Sequence, residues 1–147
     1  MMTWMIDRYM FRGRKAYGNE WVIGYFSYDK IAERGYITSY ENCYRDPKKQ
    51  IPDVVEVDVS TVGQCTEIKD KNGTIIFEDD VIVMKCAGTL TGRVVGKVRY
   101  SAKHRGYVAE LKNHSKMYID KDYHPEIIGN IHDDPKLLNT KFAEAIK

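Results

Sequence analysis

The chain has 147 residues, a size typical of one compact domain with or without an appended arm. Its apolar and charged fractions, 43% and 30%, are those of an ordinary globular protein and exclude wholesale disorder. The net charge of +2 is too small to indicate a nucleic-acid or membrane partner, so the distribution of charge matters more than its sum.

The cysteine content and the opening residues indicate a cytoplasmic protein with no membrane contact. The 3 cysteines are odd in number and form no Cys-x-x-Cys pair, whereas a secreted disulfide framework usually has an even count. Asp7, Arg8 and Arg12 interrupt any apolar stretch that could serve as a signal peptide. No apolar run reaches the roughly 18 residues that a membrane helix requires.

Residues 1–53 are rich in tyrosine and predict an N-terminal β arm. Segment 20–26 is aromatic and β-branched, segment 36–40 is a weaker example, and the polar segment 45–50 is typical of a loop. Tyrosines in strands most often pack on half-buried sheet faces with the hydroxyl in water. The alternative is an adhesive surface for a partner or for stacked bases.

Residues 54–131 predict a small barrel-like core of antiparallel strands. Val55, Val57 and Val59 alternate with acidic residues, which is typical of a strand with one wet face. Asn72-Gly73 is the preferred pair of a type I′ turn, in which both central residues take positive φ, and it predicts a hairpin. The remaining predicted strands follow a polar corner at 78–80 and cover residues 81–84, 93–100, 107–111, 116–120 and 125–131.

The last segment, residues 132–147, predicts an α-helix. Asp134 is a natural N-cap and Pro135 a natural first helical residue. A stripe at helical spacing, able to pack on the core or on a neighbouring subunit, is formed by Leu138, Phe142, Ala145 and Ile146. The predicted fold class is therefore mostly β, a small barrel-like antiparallel core with an N-terminal β arm and a C-terminal α-helix.

Three ordered blocks of sequence resemble the YopX family, small proteins encoded largely by bacteriophages and prophages. The central block runs from Val62 to Ile82 and is similar to the pattern VGQ-x-TG-x-x-D-x-NG-x-x-I-(F/Y)-EGD-(I/V)-V. The opening block joins Phe11-Arg-Gly13 to the segment 21–25, and the closing block covers 126–138. The resemblance implies a phage or prophage origin and a mostly β fold, and it carries over no reaction and no catalytic residue.

The motif positions are predicted to be structural. Gln64 and Asn130 are polar residues inside apolar motifs, so we expect their amides to hydrogen-bond loop backbone. Family members usually carry glycine where this chain has Glu67 and Asp79, which argues against positive φ there, less strongly at Asp79 because Asp tolerates it. The full set of structural motif residues is Gly63, Gln64, Asp70, Asn72, Gly73, Glu78, Asp80, Gly129 and Asn130.

The clearest chemical signal is the charge asymmetry of residues 93–116, which hold 7 Lys and Arg against one acid, Glu110. Tyr100 and Tyr107 lie beside these cations, and small β-barrels bind nucleic acid through cationic grooves with aromatic platforms. The alternative is a solvated face, or one that matches the acidic surface of a neighbouring copy. The predicted nucleic-acid-binding residues are Arg93, Lys97, Arg99, Lys103 and Arg105.

The sequence predicts no catalytic residue, no metal site and no cofactor. The acidic corner 78–80, with Asp70, could hold a divalent metal or act as an acid–base pair, but adjacent carboxylates on a turn usually diverge into water. Cys65 is expected to fill space rather than to act as a nucleophile. The histidines form no local pair of zinc ligands; they are His104, His114, His124 and His132.

Three functional hypotheses follow, in descending order. The first is a non-enzymatic, self-associating phage or prophage accessory protein of the bacterial cytoplasm, with a homo-oligomer as its state. The second is a nucleic-acid-binding module that uses the basic strand. The third is a metal-dependent enzyme at the acidic corner.

Overall fold

The structure is a computed structural model that describes residues 6–139. It is built mainly from antiparallel strands, with a short helix α1 at Glu41–Arg45 and 3₁₀ turns at Lys121–Tyr123 and Leu137–Asn139. The strands are β1 Met10–Lys15, β2 Trp21–Asp29, β3 Arg34–Ser39, β4 Asp53–Lys69, β5 Ile75–Phe77, β6 Asp80–Lys85, β7 Arg93–Ser101, β8 Gly106–Leu111, β9 Lys116–Tyr118 and β10 Glu126–Asn130. The prediction of a mostly β protein is confirmed.

The chain divides into two compact units, residues 1–65 and 66–147. In the first unit β1 pairs with β2, β2 with β3, β3 with β4, and β4 again with β1, so these strands pair in a closed, ring-like order. Val22, Ile37 and Val57 form the buried centre of this unit. Gly13 of β1 faces that centre, and a Cβ on it would lie only 3.1 Å from Val57 Cβ, so the close packing favours glycine.

The second unit contains a five-stranded antiparallel sheet in the order β10-β6-β7-β8-β9. Ile82, Met84, Val94 and Val98 are among the buried residues that form its main core. The barrel-like closure predicted for residues 54–131 is not confirmed, because β10 and β9 lie at the two ends of this sheet and do not pair with each other. The ring-like closure lies in the first unit, where an arm was predicted.

The central hairpin is present, but its turn differs from the one predicted. β4 and β5 are neighbours in the sheet, and Gly73 N–H donates to Asp70 O at 3.0 Å. Gly73 has a φ of +83°, whereas the φ of Asn72 is not positive. The prediction of a type I′ turn is therefore wrong. The loop is the three-residue kind, in which a single glycine closes the turn. Asp70 explains the change, because its Oδ1 accepts from the N–H groups of Asn72 and Thr74, both at 2.9 Å.

The backbone keeps positive φ at the two places where glycine is replaced. Glu67 has a φ of +61° and Asp79 of +69°. The argument from the missing glycines is therefore wrong, and the chain tolerates a conformation that costs an L-residue about 1–2 kcal/mol. Asp79 is supported by its surroundings, since its N–H donates to Val98 O at 2.8 Å and its carbonyl accepts from Ile131 N at 3.1 Å.

The predicted C-terminal helix does not begin at Asp134. Residues 131–133 and 135–136 form turns, and the 3₁₀ turn Leu137–Asn139 follows. Leu137 and Leu138 pack on Val81 and Val95 of the second sheet, which explains why the chain turns back at this point. Phe142, Ala145 and Ile146 lie outside the described residues. Within residues 6–139, no helix has the length and apolar character needed to span a membrane.

Candidate nucleic-acid interface

Strand β7 carries two of the cations on one face. Val94, Gly96 and Val98 are buried on the opposite face, and Lys97 and Arg99 share their face with the buried Val95. Lys97 is half-buried and Arg99 is exposed. Lys97 and Arg99 lie on one strand face because successive side chains of a strand alternate between its two faces. We call the face that carries them the basic face.

The single acid of this region lies in the middle of the basic face. Glu110 on β8 pairs in register with Lys97 on β7 and with Lys116 on β9. Arg99 Nη1 donates to both Glu110 oxygens, at 3.2 and 3.1 Å, and Lys116 Nζ lies 4.0 Å from Oε2. One carboxylate thus neutralises part of the charge of two cations, and the 7-to-1 count of the sequence overstates the field of this face.

Two cations lie at the tip of the β7–β8 hairpin. Lys103 and Arg105 are both exposed there. Arg105 has a φ of +55° and its N–H donates to Ala102 O at 3.3 Å, which closes the turn. Ser101 Oγ lies 2.8 Å from His104 Nδ1 and accepts from His104 N–H at 3.3 Å. The turn is therefore fixed from within, and its two cations project from a defined backbone.

Aromatic pairs flank the tip on both faces of the hairpin. Tyr100 and Tyr107 pack edge to face with ring centroids 5.6 Å apart, and His104 and Tyr118 do so at 5.4 Å. Tyr100 is 52% exposed and Tyr118 is 59% exposed. Tyr118 and His104 were not predicted as part of this site. The Ser-x-x-His spacing of residues 101–104 was the available signal for the histidine.

The structure does not bring all five predicted nucleic-acid-binding residues together. Lys97, Arg99, Lys103 and Arg105 lie on or beyond the second half of β7. Arg93 is the first residue of that strand and pairs with Lys85. Ser101 lies eight positions after Arg93, which corresponds to about 26 Å of strand. Arg93 is therefore not part of the hairpin tip.

Three motif residues of the second unit accept hydrogen bonds from backbone N–H groups. Asp70 Oδ2 accepts from Ile127 N at 3.2 Å, and buried Asp80 accepts from Phe77 N at 2.8 Å. Asn130 Oδ1 accepts from the N–H groups of residues 132 and 133 at 3.0 and 2.8 Å. Gly129 has a φ of +150°, and a Cβ there would meet Leu137 Cδ1 at 2.5 Å.

The motif residues of the first unit also bond to backbone or lie close to it. Gln64 Nε2 donates to the backbone oxygen of Arg8 at 3.0 Å. Gly63 is buried and pairs in register with Arg12 of β1. These contacts hold β1 against β4, so they maintain the closed order of the strands.

The carboxylates of the acidic corner 78–80 do not converge on one site. Asp79 Oδ2 lies 2.8 Å from His132 Nε2, while Asp80 is directed to backbone N–H. Among residues 6–139, no group of three or more His, Cys, Asp or Glu side chains is placed to hold a metal ion. Cys65 is 1% exposed and lies in the core, as expected of a residue that fills space.

A separate cavity of about 380 Å³ lies in the first unit, where paired charges line it. Lys15 Nζ contacts Glu20 at 2.7 Å, and this hydrogen bond with the charge of Lys15 holds the pKa of Glu20 below its ordinary value. The hydrogen bond from Asn42, then that from Lys49, lowers the pKa of Asp53. A catalytic acid needs a raised pKa, so these carboxylates do not suit that role.

The sequence profile of the family described as YopX protein matches residues 10–139. No curated protein matches the chain.

Proposed function

The chain belongs to the YopX family, and we propose that it is a non-enzymatic phage or prophage accessory protein of the bacterial cytoplasm that binds single-stranded nucleic acid through the β7–β8 hairpin. The phage context is an inference from the family resemblance. The observation that carries the binding proposal is the hairpin tip, where exposed Lys103 and Arg105 stand between two aromatic pairs.

The chemistry of the tip matches the two parts of a nucleotide. Exposed cations attract phosphates and release condensed counterions, which supplies most of the affinity of such contacts. Tyr100 and Tyr118 keep 52% and 59% of their surface exposed, so each ring has a face on which a base can stack. Stacking contributes about 1–3 kcal/mol per base and tolerates any sequence.

Single strands fit this surface better than a duplex does. Bases stack on aromatic side chains only when the bases are unpaired. A duplex that contacts the tip through its phosphates alone would make no stacking contact with the two exposed tyrosines. The tip is a tight turn of four residues, 102–105, and it offers two cations rather than the 6–10 contacts of a typical specific duplex binder. We therefore expect weak, sequence-tolerant binding.

The test is titration of fluorescein-labelled oligothymidylate, followed by fluorescence anisotropy at low salt. Binding should weaken when Tyr100→Ser or Tyr118→Ser removes a stacking ring, by about 5-fold or more for the loss of one stacked base. Tyr17→Ser, which removes an 86% exposed tyrosine of the first unit, is the control. Equal affinities for all four proteins would refute the proposal.

A second candidate function is self-association through the first unit. Of the fourteen large apolar side chains that are exposed in the described residues, ten precede residue 60. Tyr25, Tyr40 and Tyr44 form a cluster in which the rings of Tyr25 and Tyr40 lie 6.2 Å apart. Tyr25, Tyr28 and Tyr40 keep 39%, 46% and 41% of their surface exposed, while Tyr9, Tyr17 and Tyr44 are more than half exposed. Exposed aromatic surface of this kind is typical of protein interfaces.

Sedimentation equilibrium tests this candidate directly. We expect a mass that is a multiple of 17.1 kDa and that falls when Tyr40→Ser and Tyr44→Ser are combined. Tyr100→Ser is the matched control from the second unit. A mass of one chain at all concentrations, or a mass that the cluster variant leaves unchanged, would contradict self-association through this cluster.

A further inference from the structure

Three tyrosines and one carboxylate of the first unit lie close together. Tyr25 Oη donates to Asp7 Oδ2 at 3.0 Å, and the rings of Tyr25 and Tyr40 are 6.2 Å apart at 75° to each other. The pKa of Tyr25 is raised first by its hydrogen bond to Asp7 and then by burial. The proximity of Tyr44 and Tyr40 raises it further, so both hydroxyls lie near that of Tyr25. We call these four residues the tyrosine–carboxylate site.

The backbone fixes the positions of these side chains. Tyr25 lies in β2, which pairs with a strand on either side. Tyr44 N–H donates to Tyr40 O at 3.2 Å across the first turn of α1, and residues four apart on a helix lie on the same face. Asp7 Oδ1 accepts from Tyr9 N–H at 2.8 Å, so the carboxylate is held from both sides. The arrangement is thus part of the fold of the first unit.

The chemistry of this site suits a cation. The faces of tyrosine rings attract a positive charge that lies within about 6 Å of the ring centroid. Two rings that are 6.2 Å apart and nearly perpendicular leave positions within that distance of both centroids. Each of the three tyrosines is at least 39% exposed, so a ligand from solution can reach the rings. The negative charge of Asp7 beside Tyr25 adds to the attraction.

The carboxylate narrows the class of cation. Each oxygen of Asp7 accepts one of the two hydrogen bonds described above, and a carboxylate oxygen has a second lone pair for another donor. A guanidinium fits both features, because it donates two parallel N–H groups to a carboxylate and stacks on aromatic faces. We propose that Asp7, Tyr25, Tyr40 and Tyr44 bind an arginine side chain of a peptide partner. The site stands whether or not the hairpin tip binds nucleic acid.

The test is a nuclear magnetic resonance titration of the full chain, labelled with ¹³C in its tyrosine rings. N-acetyl-argininamide represents an arginine within a peptide, and N-acetyl-citrullinamide has the same length without the charge. We expect saturable shifts of the ring resonances of Tyr25, Tyr40 and Tyr44 with the arginine compound. The citrulline compound should bind at least about 5-fold more weakly, which is the effect of one charge pair 4 Å apart in water. Equal binding of the two compounds, or tighter binding of tetramethylammonium or of free arginine, would overturn the proposal.

Substitutions locate the site. Tyr44→Leu keeps an apolar side chain but removes a ring, and it should weaken binding about 2- to 5-fold, the effect of one exposed cation–π contact. Asp7→Asn removes the charge and should weaken binding about 5-fold. Tyr28→Leu is the matched control, because Tyr28 is 46% exposed and lies three residues after Tyr25, on the opposite face of β2. If Tyr28→Leu weakens binding as much as Tyr44→Leu, or if Asp7→Asn has no effect, the site is wrong.

Sedimentation equilibrium of the same samples separates this site from self-association, which the same tyrosines could also serve. Saturable shifts of the ring resonances support the arginine site whether the mass corresponds to one chain or to several. A failure of the self-association proposal therefore leaves the arginine site standing. A mass that falls on addition of N-acetyl-argininamide, without any shift of the three ring resonances, would overturn the site.

Discussion

Replacing Lys103 and Arg105 with glutamine removes the two exposed charges of the hairpin tip and little else. Both side chains are exposed, so no packing is lost. Arg105 has a φ of +55°, and glutamine in its place meets the same backbone strain as arginine. Any change in the binding of single-stranded nucleic acid then reports on charge at the tip and not on the fold.

The magnitude follows from counterion release. Each phosphate contact with a single strand contributes about −0.7 to the slope of log K against log salt, so the loss of two contacts makes the slope shallower by about 1.4. Between 50 and 200 mM salt, a fourfold change, the double variant should lose about 7-fold less affinity than the unaltered protein. Fluorescence anisotropy with labelled oligothymidylate over this salt range measures both slopes.

Two further variants sharpen the measurement. Lys30→Gln with Lys48→Gln removes the same net charge from exposed positions of the first unit and should leave the slope unchanged. Glu110→Gln should have the opposite effect to the tip variant, because it releases Arg99 and makes the slope steeper by about 0.7 or more. An unchanged slope in the tip variant, or weaker binding after Glu110→Gln, would refute the reasoning.

Three other predictions test the fold. Asp79→Gly should leave the free energy of unfolding in urea denaturation without a net gain, because the relief at positive φ is offset by the loss of the hydrogen bond between Asp79 and His132. Asp70→Ala should destabilise by about 3 kcal/mol in the same assay, as it leaves three N–H groups without their acceptor. The pKa of Tyr25 is raised by its hydrogen bond to Asp7 and then by burial, so Asp7→Asn should lower that pKa in an ultraviolet titration.

The sequence was sufficient to predict most strands because their signals are local. β6, β7 and β8 each combine β-branched residues with clear turn boundaries, and their observed bounds lie close to those predicted. β1 was missed since its sequence, Met-Phe-Arg-Gly-Arg-Lys, has two apolar residues and three cations. That strand is stabilised by pairing with both β2 and β4, which is a contact distant in sequence.

The site was harder to predict than the fold because a count of charged residues does not show where their side chains lie relative to one another. The count of cations in residues 93–116 could not reveal that Glu110 lies between Lys97 and Lys116 across three strands. The count of cations also could not show that Arg93 is remote from the hairpin tip, because the length of strand β7 sets the distance between them. The register of the paired strands decides which charged side chains lie next to one another. That register depends on strand pairing, which the sequence alone does not specify.

The nature of the YopX motif explains why membership of the family leaves function open. Asp70, Asp80 and Asn130 direct their side chains to backbone N–H groups of the second unit. Such residues specify turns and the docking of strands, and any chain with this fold can use them whatever it binds. The exposed residues of the tip, Lys103 and Arg105, lie outside those contacts. Substitution of the motif therefore tests folding, and only substitution of these exposed charges tests function.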